Sequence, residues 1–564
     1  MPKSKWFSFE LVIIAIVSIA HLYVAFAPTN SLMNWYTTDD AYYYFKTAQN
    51  FVEGHGISFD GIGRSNGFHP LWFMICVPVF TLARFDLGLP LRVMILISAA
   101  LNAGTGILIY RAIKKVASKY AAMIASLLWI LTIEIHSVTT TLGMESGVNV
   151  FCLALLVYLM VNLEVKRAEG NIRLKEIFGV GVAGTLAFLA RLDNIFVVGL
   201  MGLWLIFRFW NTSVENKNNS PWGRRFDIAW NYFAPLAIVM VVYLAGNYLY
   251  FGTPLPVSGQ IKRWWGTLPN TVYGYPVDSF LGYLGNWVTP IPDLGPWSLI
   301  TSIPHTIARA FESIFNFKGD ELYLKNVHRY FVLGIGGVLA AGLGLIIRSQ
   351  WAKLKKSPLA LVLIPFFIGC AFQLSAYKAT GYVETLRWYW AGEMLWTILA
   401  AGLVLEMVIS ILSKVKIREL HLNLITGLIG LILLFQFGTY ITGLIPYNVT
   451  PGEEEAYLSG ARALETYTEP GSIIGSTGGG VGAYFIKDRT IINLDGLINS
   501  YEYFQKLQKG KASQYLDKVG LDYVYGNIYM ITESDPYARN FENHLELIGT
   551  VERASLFRYI PTKK

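Results

Sequence analysis

Residues 424–435 read LITGLIGLILLF, a run without a single charged side chain. Similar runs recur along the chain: 54% of its 564 residues are hydrophobic, only 15% are charged, and the mean hydropathy is +0.42. Soluble domains carry about 25% charged residues. The composition therefore predicts an α-helical polytopic membrane protein.

A helix that crosses a bilayer needs roughly 20 apolar residues, which gives about eleven candidate spans. They lie near residues 10–28, 91–110, 121–138, 147–163, 176–190, 194–208, 228–250, 330–347, 358–376, 389–411 and 421–444. The first is interpreted as an uncleaved signal anchor, because Pro28 directly follows the small residues of a possible cleavage site. Segment 70–86 is apolar but short, and we interpret it as a juxtamembrane or re-entrant helix.

Basic residues cluster in alternate loops between these segments. The clusters are Arg111 to Lys119, Lys166 to Lys175, Lys217 to Arg225, Arg348 to Lys356 and Lys414 to Arg418. Cytoplasmic loops carry an excess of Lys and Arg, so all five clusters are expected inside, with the N-terminus inside and the C-terminus outside. Much of the net charge of +8 falls in these loops and requires no nucleic acid partner.

The outside of the cell membrane then holds most of the polar groups that could do chemistry. We expect a transmembrane domain over 1–444, with outer loops 29–90 and 251–329, and an extracytoplasmic α/β domain over 445–564. In that domain, strands are predicted at 472–475, 490–494, 523–525 and 556–560, and helices at 453–467 and 501–517. The glycine run 478–482 lacks the spacing of a phosphate-binding loop, so a tight turn is favoured.

Ionisable residues at the outer ends of the predicted helices form the candidate site. They are Asp39, Asp40, Glu145, Arg191, Asp193, Lys262, Arg263 and Arg387, with His69 and His55 in the first outer loop. Each has a simpler interpretation: helix-end acids for Asp39, Asp40 and Glu145, an interfacial ion pair for Arg191 with Asp193, and interface anchors for the remaining cations. A carboxylate near a group of cations would suit group transfer from a lipid-linked phosphate.

Ordered motifs around these residues carry a resemblance to a known family. They are Asp39-Asp40-Ala41-Tyr42, Glu53-Gly54-His55-Gly56, Asn66-Gly67-Phe68-His69-Pro70-Leu71-Trp72, Gly143-Met144-Glu145, Ala190-Arg191-Leu192-Asp193, residues 250–256 (YFGTPLP), Arg387-Trp388-Tyr389 and residues 493–499 (NLDGLIN). The set resembles GT-C glycosyltransferases, and most of all the mycobacterial-type arabinofuranosyltransferases and their bacterial relatives. It spans nearly the whole chain.

Two motifs depart from that family. Where the family often has Arg-Pro-Glu, this chain has Arg191-Leu192-Asp193, which keeps an acid in place. Where the family often has a proline soon after the Arg-Tyr pair, this chain has Trp390-Ala391-Gly392, which leaves the role of Arg387 open.

The resemblance implies a polyprenyl-phosphate sugar donor, with decaprenyl-phosphate arabinose favoured, and an acceptor hydroxyl on a glycan, lipid or protein of the cell wall. It implies that a first-loop acid, Asp39 or Asp40, is the general base of an inverting transfer, and it does not rank the two. Glu145, Arg191, Asp193, Lys262, Arg263, Arg387, His69 and His55 would bind the substrates. The resemblance fixes no cofactor and leaves metal dependence open: Asp39 or Asp40 could hold a divalent cation together with Glu145.

A transporter or lipid flippase is the alternative from another functional class. Transporters often show repeated halves with ionisable residues at mid-membrane. This chain has no evident repeat, and its acids cluster on one side, which favours the enzyme.

Overall fold

The structure is a computed structural model that describes residues 8–170, 172–209, 220–269, 271, 273–283, 298–315, 320–382, 386–413, 419–447 and 456–562. Within these ranges, residues 8–447 form a helical part, which we call the membrane domain. Residues 456–562 form a smaller part around a five-stranded sheet, which we call the sheet domain. The predicted fold class, a helical polytopic protein with a C-terminal α/β domain, is confirmed.

The membrane domain is built from helices that follow the predicted apolar segments. They are α1 (Phe9–Ala25), α2 (Thr29–Met33), α3 (Ala41–Val52), α4 (Pro70–Phe80), α5 (Gly88–Lys114), α6 (Lys119–Leu131), α7 (Ile133–Thr139), α8 (Ser146–Glu169), α9 (Leu174–Ala190), α10 (Ile195–Phe209), α11 (Pro221–Phe251), α12 (Val257–Trp265), α13 (Ser298–Phe315), α14 (Glu321–Leu354), α15 (Pro358–Ala379), α16 (Ala391–Leu412) and α17 (Glu419–Leu444). Short 3-10 turns lie at Thr81–Arg84, Leu192–Asn194 and Arg387–Trp390.

Eight helices among the described residues are long and apolar enough to cross a membrane. A ninth span results if α6 and α7, which meet at a bend of 59°, are one broken span. The remaining two predicted segments form α1 and α9, each of 17 residues. Segment 70–86 forms the short apolar helix α4 and a 3-10 turn, and its juxtamembrane or re-entrant position stays a prediction. The total of eleven crossings stays a prediction.

Described helix ends that flank the predicted basic loops meet at one end of the helix bundle, which we call the basic end. Polar contacts there join helix ends that are distant in sequence: Glu10 to Arg111, Lys119 to Glu419, Glu164 to Arg208 and Lys353 to Ser410. Lys217 and residues 414–418 lie outside the described residues. The opposite end carries the sheet domain and the candidate site residues, and we call it the site end.

The sheet domain has the strand order β2-β1-β3-β5-β4. Its strands are β1 (Ile473–Ser476), β2 (Thr490–Asn493), β3 (Tyr523–Gly526), β4 (Leu545–Val551) and β5 (Ala554–Tyr559). Strand β1 runs parallel to β2 and β3, whereas β5 runs antiparallel to β3 and β4. All four predicted strands are confirmed, and the edge strand β4 was not predicted.

Helices surround this sheet. They are α18 (Ala456–Tyr467), α19 (Gly480–Phe485), α20 (Tyr501–Gln508), α21 (Ala512–Val519), α22 (Ile528–Thr532) and α23 (Tyr537–Phe541). The single helix predicted over 501–517 is wrong, because the chain turns at Gly510, whose φ is +67°. A positive φ is readily adopted by glycine and ends a right-handed helix.

The sheet domain packs directly on the first loop of the membrane domain. A Cβ atom at Gly67 would lie 1.8 Å from the backbone oxygen of Leu497, so only glycine allows this approach. The Tyr484 hydroxyl donates to the backbone oxygen of Leu87 at 2.8 Å, and the rings of Tyr42 and Tyr484 lie 5.6 Å apart. The two domains therefore share a close interface, and the candidate site lies beside it.

Candidate active site

Two neighbouring cavities open at the site end. The first has a volume of about 360 Å³ and lies among the helix ends of the membrane domain. The second has a volume of about 650 Å³ and lies between that domain and the sheet. Their common wall consists of Asp40, Tyr43, Lys262, Tyr382, Trp388, Tyr389 and Leu497.

The two first-loop acids have different surroundings. Asp39 accepts hydrogen bonds from two backbone amides of the sheet domain, Gly480 at 2.8 Å and Val481 at 2.7 Å. Asp40 lines both cavities, and its side chain does not cap α3. The structure thus separates two residues that the sequence left unranked: Asp39 binds the sheet domain and lines only the second cavity, whereas Asp40 lines both cavities.

The glycine run 478–482 forms a backbone turn that binds a carboxylate. Gly478 and Gly479 have φ values of +77° and +82°. The Gly478 amide donates to Asp495, and the Gly480 and Val481 amides donate to Asp39. Such turns and helix N-termini are anion-binding sites. The expected tight turn is present, and the anions that it binds are side chains of the same protein.

Glu145, Arg191 and Asp193 form a buried network on the wall of the first cavity. The Arg191 guanidinium donates to Glu145 Oε1 at 2.5 Å and to the two Asp193 oxygens at 3.1 and 2.9 Å. It also donates to the Tyr377 hydroxyl at 3.4 Å, so most of its N–H groups are engaged. Burial alone would raise the pKa of Glu145, but the charges of His69 and Arg191 lower it below its ordinary value.

Sequence analysis missed the neutral residues that complete this network. Tyr44 donates to Glu145 Oε2 at 2.8 Å, and Gln373 and Tyr377 donate to Asp193 Oδ2 at 2.8 and 2.5 Å. These side chains come from α3 and α15. A tyrosine or glutamine inside an apolar helix gave no local signal of this role.

His69 lies beside Glu145, with 3.7 Å between its Nε2 and Oε1 of the glutamate. Its Nδ1 atom accepts a hydrogen bond from the Leu192 amide at 3.4 Å, which places the proton of the neutral ring on Nε2. Burial lowers the pKa of His69. His69 therefore packs against the Glu145 network, and the 3.7 Å between Nε2 and Oε1 is longer than a hydrogen bond.

Lys262 and Arg263 lie on α12 and supply cations to the cavities. Lys262 donates to the Tyr389 hydroxyl at 2.6 Å and lines both cavities, and Arg263 lines the first. Burial opposes the charge of Lys262, but the interactions with Tyr389 and Asp40 raise its pKa above the ordinary value. Lys262 is therefore a stable cation next to Asp40.

Arg387 and His55 lie elsewhere. Neither Arg387 nor His55 lines the two cavities. Arg387 is exposed, but the next two residues, Trp388 and Tyr389, line both cavities. His55 is exposed in the turn after α3, which fits the conformational demand of the flanking Gly54 and Gly56, both at positive φ. The Arg-Trp-Tyr motif thus marks the site through its aromatic residues.

Asp495 was also missed as a site residue, although its motif was noted. It lines the second cavity, and it accepts hydrogen bonds from the Gly478 amide at 2.6 Å and from the Tyr537 hydroxyl. Burial raises the pKa of Asp495 to about 6.

The described residues contain no group of three or more His, Cys, Asp or Glu side chains placed to hold a metal ion. The predicted pair for a divalent cation joined a first-loop acid to Glu145. In the structure Asp39 binds backbone amides, and Glu145 binds Arg191 and Tyr44.

Comparison with protein-family models finds no match, and comparison with curated proteins finds none either. Among solved structures, the Archaeoglobus fulgidus oligosaccharyltransferase tethered with an acceptor peptide is 14% identical over 99% of this chain and 74% of that chain, with a TM-score of 0.49. AglB from the same organism, in complex with an inhibitory peptide and a dolichol-phosphate, is 13% identical over 96% and 73%, with a TM-score of 0.49.

ArnT from Cupriavidus metallidurans in the apo state is 13% identical over 99% of both chains, with a TM-score of 0.40. All of these identities lie below 15% and all of these TM-scores below 0.5, so the likenesses carry no argument about the class of this chain. At these identities and TM-scores they establish no substrate for this chain.

Proposed function

We propose that this protein is an integral-membrane glycosyltransferase, which moves a sugar from a polyprenyl-phosphate donor to an acceptor hydroxyl. The observation that carries this proposal is the position of Asp40 and Lys262 on the wall between two cavities. A transferase must bring two substrates to one reacting centre. A carboxylate and a cation that both cavities share suit that requirement.

In the proposed reaction the donor occupies the first cavity and the acceptor occupies the second. The acceptor oxygen attacks the anomeric carbon from the face opposite the phosphate, and its proton passes to the Asp40 carboxylate. The bond between the anomeric carbon and the phosphate oxygen breaks, and polyprenyl phosphate leaves with the electron pair. This single displacement inverts the anomeric centre. A carboxylate is a suitable base, because the attacking hydroxyl becomes acidic only late in such a displacement.

Lys262 and Arg263 are the cations best placed to stabilise the phosphate that leaves. Fixed cations aimed at a developing charge are a major source of catalysis. Arg191 has most of its donors committed to Glu145, Asp193 and Tyr377. In this proposal the Arg191 network positions the cavity wall, and Asp39 positions Asp40 through its bonds to the sheet domain.

The proposal includes a location and a favoured sugar. The basic end would face the cytoplasm, following the distribution of Lys and Arg in the loops, and the site end would face the outside of the cell membrane. The resemblance in the first-loop motifs favours arabinofuranose, carried by decaprenyl phosphate, as the first donor to test.

The test measures the release of polyprenyl phosphate by purified protein in nanodiscs. Wild type, Asp39→Asn and Asp40→Asn would each receive polyprenyl-phosphate pentoses and hexoses, with an alkyl glycoside as acceptor. We expect release with one donor, and a loss of about 10²–10⁴-fold in folded Asp40→Asn. Asp39→Asn should lose less, because an amide oxygen still accepts one of the two backbone hydrogen bonds.

Unchanged release by folded Asp40→Asn would remove this residue as the base. Movement of donor lipid across a reconstituted bilayer, without release of polyprenyl phosphate from any donor, would instead support a transporter or flippase.

A further inference from the structure

The second cavity lies at the carboxyl ends of the three parallel strands of the sheet domain. Ser476 ends β1, Asp495 follows β2, and Asn527 follows β3, and all three line this cavity. Glu552, in the turn between the antiparallel strands β4 and β5, lies at the same edge and also lines it. We call this edge, with its lining residues, the crevice.

The strand order makes the crevice a natural ligand site. From β1 the chain runs to β2 on one side, and it then crosses to β3 on the other side of β1. In open α/β sheets, ligands bind outside the carboxyl ends of the strands, at the point where the strand order reverses. The crevice lies at such a point, and Asp40 of the membrane domain faces the same cavity.

Aromatic side chains form one side of the crevice. The rings of Trp265 and Tyr273 stack at 4.1 Å with 11° between their planes, and Tyr382 lies parallel at 6.2 Å from Trp265. Trp265 is 1% exposed, so it packs behind the half-buried rings of Tyr273 and Tyr382. Aromatic rings offer an apolar face, against which the C–H groups of a ligand can pack.

Neutral and acidic polar groups form the other side. Asn527 accepts a bond from the Met530 amide through Oδ1, which directs its NH₂ group to other acceptors. The Asp495 oxygens accept from Gly478 and Tyr537, and each carboxylate has about four acceptor positions in all. Hydroxyl groups of a ligand can therefore both donate and accept at this wall.

Charge distinguishes the candidate acceptors. The ionisable residues that line the crevice are Asp39, Asp40, Asp495, Glu552, Lys262 and Arg553. The four acids outnumber the two bases, and this excess disfavours a phosphorylated ligand. The acids do not repel a polyhydroxyl compound without charge.

We propose that the crevice binds the terminal sugar of a neutral glycan, so that the acceptor is a carbohydrate and not a phosphorylated lipid. The crevice as an acceptor site rests on the proposed transferase function. Its ability to bind a neutral sugar is independent of catalysis.

The test is a binding experiment on the full-length protein in nanodiscs without donor. The probes are neutral octyl arabinofuranosyl and galactosyl disaccharides, a phosphorylated form of each, and a hydroxyl-bearing Ser/Thr peptide. Calorimetry and saturation-transfer NMR give their dissociation constants. We expect a neutral disaccharide to bind at least about tenfold tighter than its phosphorylated form or the peptide. One unfavourable contact between the phosphate and an acid of the crevice would account for a difference of this size from the phosphorylated form.

Two exposed residues of the crevice provide the variants. Asn527→Ala and Glu552→Gln should each weaken disaccharide binding, and Asn527→Ala by about tenfold. Glu546→Gln is the matched control, because it makes the same charge change on the same hairpin at the opposite end of β4. It should bind as wild type does.

Stronger binding of the phosphorylated probe or the peptide would overturn the proposal, as would the absence of binding by every neutral disaccharide. Equal binding by wild type and both crevice variants would also overturn it. Because no donor is present, these results are distinct from a failure of the transferase assay, in which no polyprenyl phosphate is released.

Discussion

Helix α8 has a buried glutamate at each end, and the two ends differ in what surrounds it. Glu145 precedes the helix and is 1% exposed, and Glu164 lies near its other end and is 2% exposed. At the site end, Arg191 is shared between Glu145 and a second acid. At the basic end, Glu164 binds two arginines, at 3.0 and 3.1 Å.

The difference teaches that a buried glutamate–arginine pair is not by itself a sign of function. Arg167 and Arg208 have side chains 27% and 29% exposed, which suits anchors at a membrane–water interface. The Arg191 side chain is 3% exposed, next to a cavity that holds further cations. At the site end, two acids share one buried arginine beside a cavity. At the basic end, one acid binds two arginines.

The largest expected effect on stability comes from replacing one arginine at each end. Arg191→Met would leave Glu145 and Asp193 buried without their cation, and breaking a buried ion pair costs about 3–5 kcal/mol. Arg208→Met leaves Glu164 paired with Arg167, so we expect a loss of about 1 kcal/mol or less.

Thermal unfolding of both variants in detergent, followed by tryptophan fluorescence, measures this difference. Equal shifts of the two midpoints would mean that the two ends of α8 are energetically alike.

A smaller effect is expected from the cations that line the cavities. Lys262→Met removes the charge beside Asp40, and a hydrogen bond to a charged group contributes about 1.5–3 kcal/mol, or about 10–100-fold in turnover. Lys353→Met, which removes a lysine that donates to Ser410 at the basic end, should leave turnover unchanged. Steady-state release of polyprenyl phosphate measures the turnover of both variants. Equal losses in the two variants would mean that the effect comes from the charge of the membrane domain in general.

The glycine turn of the sheet domain allows a test of how the site end is held. A Cβ atom at Gly480 would lie 2.3 Å from the backbone oxygen of Asp39, whereas at Gly482 it meets no atom within 4 Å. Overpacking of this kind costs about 1–3 kcal/mol.

We therefore expect Gly480→Ala to lower turnover by about tenfold and to speed hydrogen exchange at the domain interface. Gly482→Ala, on the same short helix, serves as the control. If Gly480→Ala exchanged and turned over like the control, Asp39 would not depend on this turn for its position.

The smallest expected effect is a pH dependence at the site end. Burial raises the pKa of Asp495 to about 6, so the folded domain favours the neutral form. The contribution of protonated Asp495 to the free energy of unfolding is complete below the ordinary pKa of 3.8. It is lost as the pH rises through about 6. The pH dependence of sugar binding has the opposite sign to that of stability. Binding should strengthen as the pH rises, because an ionised carboxylate accepts hydrogen bonds from sugar hydroxyls better than a neutral one does.

The dissociation constant of a neutral disaccharide should thus rise about tenfold between pH 7 and pH 5. The same titration with Asp495→Asn should be flat in this range. A titration of that variant that matched wild type would assign the dependence to another group.

Much of the architecture could be predicted because it follows local patterns. Apolar runs and basic loops give the helices and their ends, and β-branched runs such as Ile473-Ile474 give the strands. Strand β4 could not be predicted, because it is a mostly exposed edge strand with a register shift between Leu547 and Gly549. Its side chains show no simple alternation of apolar and polar residues.

The candidate site was predictable in its acids and cations but not in their roles. Asp39 and Asp40 are chemically identical neighbours, and what separates them is a contact with Gly480 and Val481, more than 400 residues away. Likewise, Tyr377 and Gln373 belong to the site only because α15 ends beside Asp193. Contacts of this range depend on the packing of whole elements and leave no mark in the local sequence.

The contact between Asp39 and the glycine turn also has a consequence for the synthesis of the protein. Gly480 follows Asp39 by 441 residues. At about 5–20 residues per second, the ribosome needs roughly 20–90 s to add them. Throughout that interval the first loop is already outside the ribosome, but the turn that fixes it does not yet exist. Asp40, the proposed base, would gain its position only after the sheet domain has been made, so a nascent chain would carry its first-loop acids before it could use them.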